Sequence, residues 1–172
     1  MAPLIALIVT YAAGRLAFRN RPDRTLPGRL ALAIMLVVTG VAHFTATDAL
    51  AAMVPPIVPW PVAVVHVTGI VELLFALLLV IRPTPLLGWT LVAFFVAILP
   101  ANVYSAVNEV GFGGRGAAYL WFRGPLQLFL IAWAAYFTGA VQVRTRPPRG
   151  FRLAIRGKAI RGTERSVSRD GA

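Results

Sequence analysis

Uninterrupted apolar runs make up most of the chain, and charged side chains gather between and after them. A helix crossing a bilayer needs ~20 apolar residues to span a ~30 Å hydrocarbon core. Five windows reach or approach that length: Met1–Phe18, about Pro27–Ala46, about Pro61–Ile81, about Thr84–Val107 and about Tyr119–Val143. No repeat or low-complexity block interrupts them. From Arg144 the composition turns to Arg, Gly and Ser, too poor in apolar surface to fold alone. The pattern predicts an all-α membrane protein. Its parts are an N-terminal transmembrane helix over 1–18, a basic loop over 19–29, a membrane domain over 30–143 and a disordered basic tail over 144–172.

The first window leaves three readings open: a span, an interfacial helix or a cleaved signal. No positive charge precedes its apolar run and the arginines follow it, which suits a span with a translocated N-terminus.

Composition sharpens the class. Of 172 residues, 58% are hydrophobic and 13% charged, yet the net charge is +11. The mean hydropathy is +0.75. A soluble nucleic-acid binder can be this basic, but not also this apolar, because the excess would lie on its surface. The length fits one domain. There is no cysteine, and so no disulfide framework, thiolate metal site or other cysteine-ligated cofactor.

The basic residues sort by position. The first connection carries Arg15, Arg19, Arg21, Arg24 and Arg29, the turn after the third window Arg82, and the tail nine more. Fifteen of the 17 therefore fall on one side, which the positive-inside rule makes cytoplasmic. The expected protein is multi-pass with a cytoplasmic C-terminus. The tail serves this orientation, and anionic lipids are its expected further partner.

That orientation assigns depths to the polar groups inside the spans. Ionisable side chains in a bilayer cost a few kcal/mol, so each marks a candidate site. His43 lies near the outer end of the second window, with Asp48 just beyond. His66 is about one turn into the third, and Glu72 is near the midplane. Asn102 and Tyr104 follow a kink expected at Pro100. Arg123 and Gln127, four residues apart, share one face of the fifth. Four helices thus send polar groups to the outer half of the membrane. The candidate ligand pocket is His43, His66, Glu72, Asn102, Arg123 and Gln127.

Each has a plainer alternative. Glu72 and Arg123 can neutralise one another as a structural pair. The histidines can be satisfied interfacial residues, and Asn102 can repair backbone groups freed by Pro100. Two histidines could in principle ligate a b-type haem, but one pair without a supporting pattern is a weak signal. Gly40 and Gly69 suit close helix packing. "GFGGRG" (Gly111–Gly116) follows a membrane helix and lacks dinucleotide-loop spacing. Between the second and third windows, "AAMVPPIVPWP" (Ala51–Pro61) holds four prolines and no charge. It is expected to be a non-helical lid within an outer loop over 47–61, with Trp60 at headgroup level.

Taken in order, "GVAHF" (Gly40–Phe44), "MVPPIVP" (Met53–Pro59), "HVTGIVEL" (His66–Leu73), "VAILPANVY" (Val96–Tyr104) and "RGPLQ" (Arg123–Gln127) resemble the DoxX-like family of small bacterial membrane proteins. The likeness covers roughly Leu30–Tyr136. It implies a four-helix transmembrane bundle in the bacterial cytoplasmic membrane, to which the first window adds a helix. It also implies a link to respiratory or redox-stress complexes, since the group is named after a subunit of thiosulfate:quinone oxidoreductase. His43, Glu72, Asn102, Arg123 and Gln127 occupy the polar positions of its motifs.

Two functions follow as expectations. In one, a quinone headgroup sits below the lid as a bound cofactor. Its carbonyls accept hydrogen bonds from His43, Gln127 or Arg123, Glu72 or a histidine supplies protons, and redox partner subunits supply electrons. In the other, the chain is a non-catalytic binding or scaffold protein for a small hydrophobic ligand or a partner complex. A transporter is the weaker reading, because no chain of ionisable groups continues from Glu72 to the cytoplasmic side.

Overall fold

A computed structural model of the protein describes residues 2–111 and 120–140, the side chains of Ala2, Leu120 and Arg123 excepted. The described residues contain helices and no strand. The helices are α1 (Ala2–Ala17), α2 (Leu26–Thr45), α3 (Thr47–Ala51), α4 (Pro61–Ile81), α5 (Pro85–Ala97), α6 (Leu99–Val107) and α7 (Leu120–Phe137). Three helical stretches are long and apolar enough to cross a membrane: Leu26–Thr45, Pro61–Ile81 and Pro85–Val107. Shorter apolar helices cover Pro3–Ala17 and Gly124–Phe137. The basic tail over 144–172 lies outside the described residues.

Local chemistry explains the boundaries. α2, α4 and α5 each begin with proline in the first two positions, where its missing N–H would have no helical partner. Thr84 caps α5 by accepting the Leu87 N–H at 3.1 Å. α5 and α6 together make one 23-residue stretch, broken at Ile98. Pro100 causes the break, since it cannot donate to the Val96 carbonyl and its ring crowds that group. The loop expected over 47–61 opens with the five-residue α3, and the proline-rich remainder is non-helical. Trp60 ends that loop at φ 51° and is 77% exposed.

α2 and α4 form the most extensive helix pair, with α1 on the other side of α2. The buried positions of α4 are Val65, Gly69, Glu72, Ala76 and Leu79. Their alternating spacing of four and three defines one straight seam. Two glycines let the helices close. A Cβ on Gly69 would stand 2.6 Å from the His43 Cβ, and one on Gly40 would stand 2.9 Å from Leu73. The opposite face of α4 shows Ile70, Leu74, Leu77 and Ile81, each at least half exposed. Such a face suits hydrocarbon and not water.

The two ends of the molecule differ. At the end near the α1–α2 connection, Trp133 of α7 donates its indole N–H to the Gly28 carbonyl at 3.0 Å. Its ring meets Tyr11 edge-on at 4.9 Å and Phe137 at 4.7 Å. Phe137 also lies where a Cβ on Gly28 would have to be, and Thr138 does the same at Gly88. This end is packed shut. The other end is not.

Candidate functional site

The open end holds a cavity of about 900 Å³ between the α2–α4 pair and the α5–α7 segment. Sites for small ligands typically measure ~300–1,000 Å³ and are mostly apolar with a few polar groups. Here the walls are apolar, drawn from all the long helices, and Met53, Val54, Pro55 and Val58 of the proline-rich loop form a cover. Among the lining side chains are His43, Glu72, Asn102 and Gln127, with Thr39 and Thr68 beside them.

Glu72 occupies the middle of the α4 seam and is 5% exposed. Its Oε2 is buried and makes no hydrogen bond among the described residues. His43, one helix away on α2, brings Nδ1 to 3.8 Å from that oxygen, beyond hydrogen-bond reach. The imidazole instead makes a 2.8 Å hydrogen bond from Nδ1–H to the Thr39 carbonyl, one turn back on its own helix. That bond places a proton on Nδ1, so in the neutral ring Nε2 carries the lone pair. The close approach at Gly69 sets this geometry, because any side chain there would push His43 away.

Gln127, 7% exposed, donates through Nε2 to the Phe95 carbonyl at 2.6 Å. Phe95 is the chain neighbour of Val96, whose carbonyl Pro100 leaves without a donor, so α7 braces the backbone beside the break. The sequence pointed to Asn102 for repair of the groups freed by Pro100. In the structure Asn102 makes no side-chain hydrogen bond among the described residues and lines the cavity instead.

His66 departs from the expected constellation. It sits one position past Val65 on α4, off the seam, and does not line the cavity. Its ring stacks on Phe44 at 5.5 Å, and Nε2 lies 3.4 Å from the Thr47 hydroxyl, which donates to the His43 carbonyl at 2.8 Å. The physical reason is angular: one residue along a helix turns a side chain ~100° away. The two histidines therefore face different surroundings. Among the described residues, no group of three or more metal-ligating side chains comes together. Arg123 belongs to α7, one turn before Gln127, and its side chain lies outside the described residues. Asp48 is exposed in the first turn of α3.

A second, smaller cavity of about 580 Å³ lies at the surface of the α1–α2 connection, outside the Trp133–Phe137 packing, lined by Arg15, Arg19, Arg21 and Arg24. Asp23 is held there by the Thr25 hydroxyl at 2.6 Å, the Thr25 N–H at 2.9 Å and Arg29 Nη2 at 2.7 Å. The hydrogen bond from Thr25, seconded by Arg29, lowers its carboxyl to about 2. Asp23 therefore answers Arg29 and leaves the other arginines of the connection as a basic rim.

Residues 32–138 match the family described as a domain of unknown function, DUF8561, and the chain belongs to that family. No curated protein and no solved structure matches it.

Proposed function

We propose that this is an integral membrane protein that holds a small hydrophobic molecule in the cavity between α2, α4, α5 and α7, as a non-catalytic binding or assembly subunit. One observation carries this reading. A covered, mostly apolar space of ligand size receives two nearly buried polar side chains, Glu72 and Gln127, from different helices. Membrane interiors tolerate such groups where they have a task. The shut end, with Trp133, Phe137 and Gly28 in contact, supports binding over passage across the bilayer. In this reading the arginine connection and the C-terminus face the cytoplasm, the cavity lies in the outer half of the membrane, and the tail meets anionic lipids. α2, α4, α5–α6 and α7 then form a DoxX-like four-helix bundle with α1 as the added helix.

The test is what the purified protein carries. Organic extraction followed by mass spectrometry is expected to yield one small hydrophobic compound near one per chain. Recovery of bulk phospholipid alone would contradict the proposal.

A quinone-linked redox subunit is the second reading, favoured by two protonatable groups, Glu72 and His43, 3.8 Å apart in the cavity. It predicts a rise in melting temperature with a ubiquinone or menaquinone analogue, or its reduced form. No shift across a quinone panel, with no flavin or haem absorbance in the isolated complex, would remove it.

A further inference from the structure

Among the described residues, the hydrogen-bonding capacity that the cavity offers near Glu72 is one-sided. His43 has committed its Nδ1–H to Thr39, so the neutral imidazole offers only its Nε2 lone pair to a ligand. The single Thr39 hydroxyl proton is shared among the Met35 and Leu36 carbonyls, at 3.2 Å each, and the Glu72 carboxyl, and the Thr68 proton is shared between Val64 and Val65 at 2.9 Å each. Both threonines thus keep lone pairs alone. Gln127 has given one N–H to Phe95 and retains its carbonyl oxygen. Glu72 contributes a buried carboxyl oxygen without a hydrogen bond among the described residues. Among the described side chains, uncommitted donors reduce to Asn102 and the second N–H of Gln127, both further along the cavity toward α6 and α7. Around Glu72 and His43, on the α2–α4 side, the described side chains offer a ligand acceptors and no uncommitted donor while Glu72 is ionised.

Resting on the proposed binding function, we infer that the ligand presents a hydrogen-bond donor, a hydroxyl or an ammonium, to Glu72 and His43, with its apolar body along the α5–α7 wall. A buried acceptor left without a donor pays its full desolvation cost, and a ligand donor relieves that cost at Glu72. A carbonyl ligand brings a second acceptor to the same place and relieves nothing at an ionised carboxyl. If the second reading holds, the reduced quinol is the form that fits this wall, since its hydroxyls donate where quinone oxygens only accept. In the same inventory a neutral His43 has no free proton for a quinone carbonyl, since its Nδ1–H is already used.

The experiment compares decanol, decylamine, 2-decanone and decane against the full chain in nanodiscs, with affinities corrected for partition into the bilayer. Decanol or decylamine is expected to bind at least tenfold more tightly than 2-decanone and decane. A preference for decylamine identifies an ammonium, and a preference for decanol a hydroxyl. Glu72→Gln, which keeps the shape and removes the charge, is expected to reduce the decylamine preference at least tenfold. Equal binding of 2-decanone and decanol would overturn the donor inference and leave the cavity proposal standing. Equal binding of all four, decane included, would also overturn it, showing that the polar groups do not read the ligand. If none binds, the cavity proposal itself fails. The wild-type comparison holds whether or not the variant can be prepared.

Discussion

Replacing Glu72 by leucine is expected to stabilise the ligand-free protein while ending its selectivity for donors. Glu72 is 5% exposed, lies in the seam between Gly69 and Ala76, and has an Oε2 without a hydrogen bond among the described residues. An unsatisfied buried polar atom costs ~1–3 kcal/mol, and an aliphatic side chain in this seam removes that cost. At ~2–4 °C per kcal/mol for a chain of this size, the melting temperature should rise by about 2–12 °C. The assay is a tryptophan-fluorescence melt in detergent on ligand-stripped protein, wild type beside Glu72→Leu and Glu72→Gln, with the amide variant in between. A gain in stability at the cost of binding is the usual behaviour of a polar group kept for function. A fall in melting temperature, or collapse of expression, would refute the reasoning. Glu72 would then be one half of a structural pair with Arg123, whose breakage costs ~3–5 kcal/mol.

Four further outcomes follow from the geometry. Gly69→Ala places a Cβ 2.6 Å from the His43 Cβ, and should cost ~1–3 kcal/mol by overpacking and weaken ligand binding through the displaced imidazole; urea or thermal melts and a binding titration check both. Gln127→Leu leaves the buried Phe95 carbonyl without its donor, so a loss of ~1–3 kcal/mol is expected from the same melts. His66→Phe, outside the cavity, should change ligand affinity less than twofold, and a tenfold loss would show that the cavity extends to His66. At Asp23 the folded-state carboxyl is lowered from 3.8 to about 2. Its contribution is therefore present above about pH 3.8 and lost as pH falls toward 2. Because that side chain is 45% exposed, solvent screening limits it to ~0.2–1 kcal/mol, so Asp23→Asn should flatten only a shallow acid limb of the stability curve.

Much of the helix layout could be read from the chain because apolar length and proline are strong local signals. The five apolar windows are occupied by α1, α2, α4, α5–α6 and α7, and the helix breaks two residues before Pro100. The partners of the polar groups were far less legible. Nothing in a linear pattern says that Gln127, and not the nearer Asn102, reaches the backbone beside that break, since the answer depends on how α7 crosses α5. The separation of His43 from His66 did leave a trace. Val65, Gly69, Glu72 and Ala76 repeat at intervals of four and three, and His66 falls outside that series. Heptad arithmetic on α4 would have removed it from the candidate set. The commitment of the His43 proton to Thr39 is a local i, i−4 contact, but its consequence for a ligand appears only when the remaining lone pairs are seen around one space.

Photolabelling tests the central claim most directly. A long-chain alcohol carrying a diazirine at its distal end, irradiated with the protein in lipid vesicles, should attach mainly to peptides containing Phe94–Asn102 and Leu126–Leu130, and excess decanol should displace it. Labelling spread instead over the exposed α4 face at Leu74, Leu77 and Ile81, and unaffected by competitor, would show that the molecule meets this protein only as surrounding lipid does.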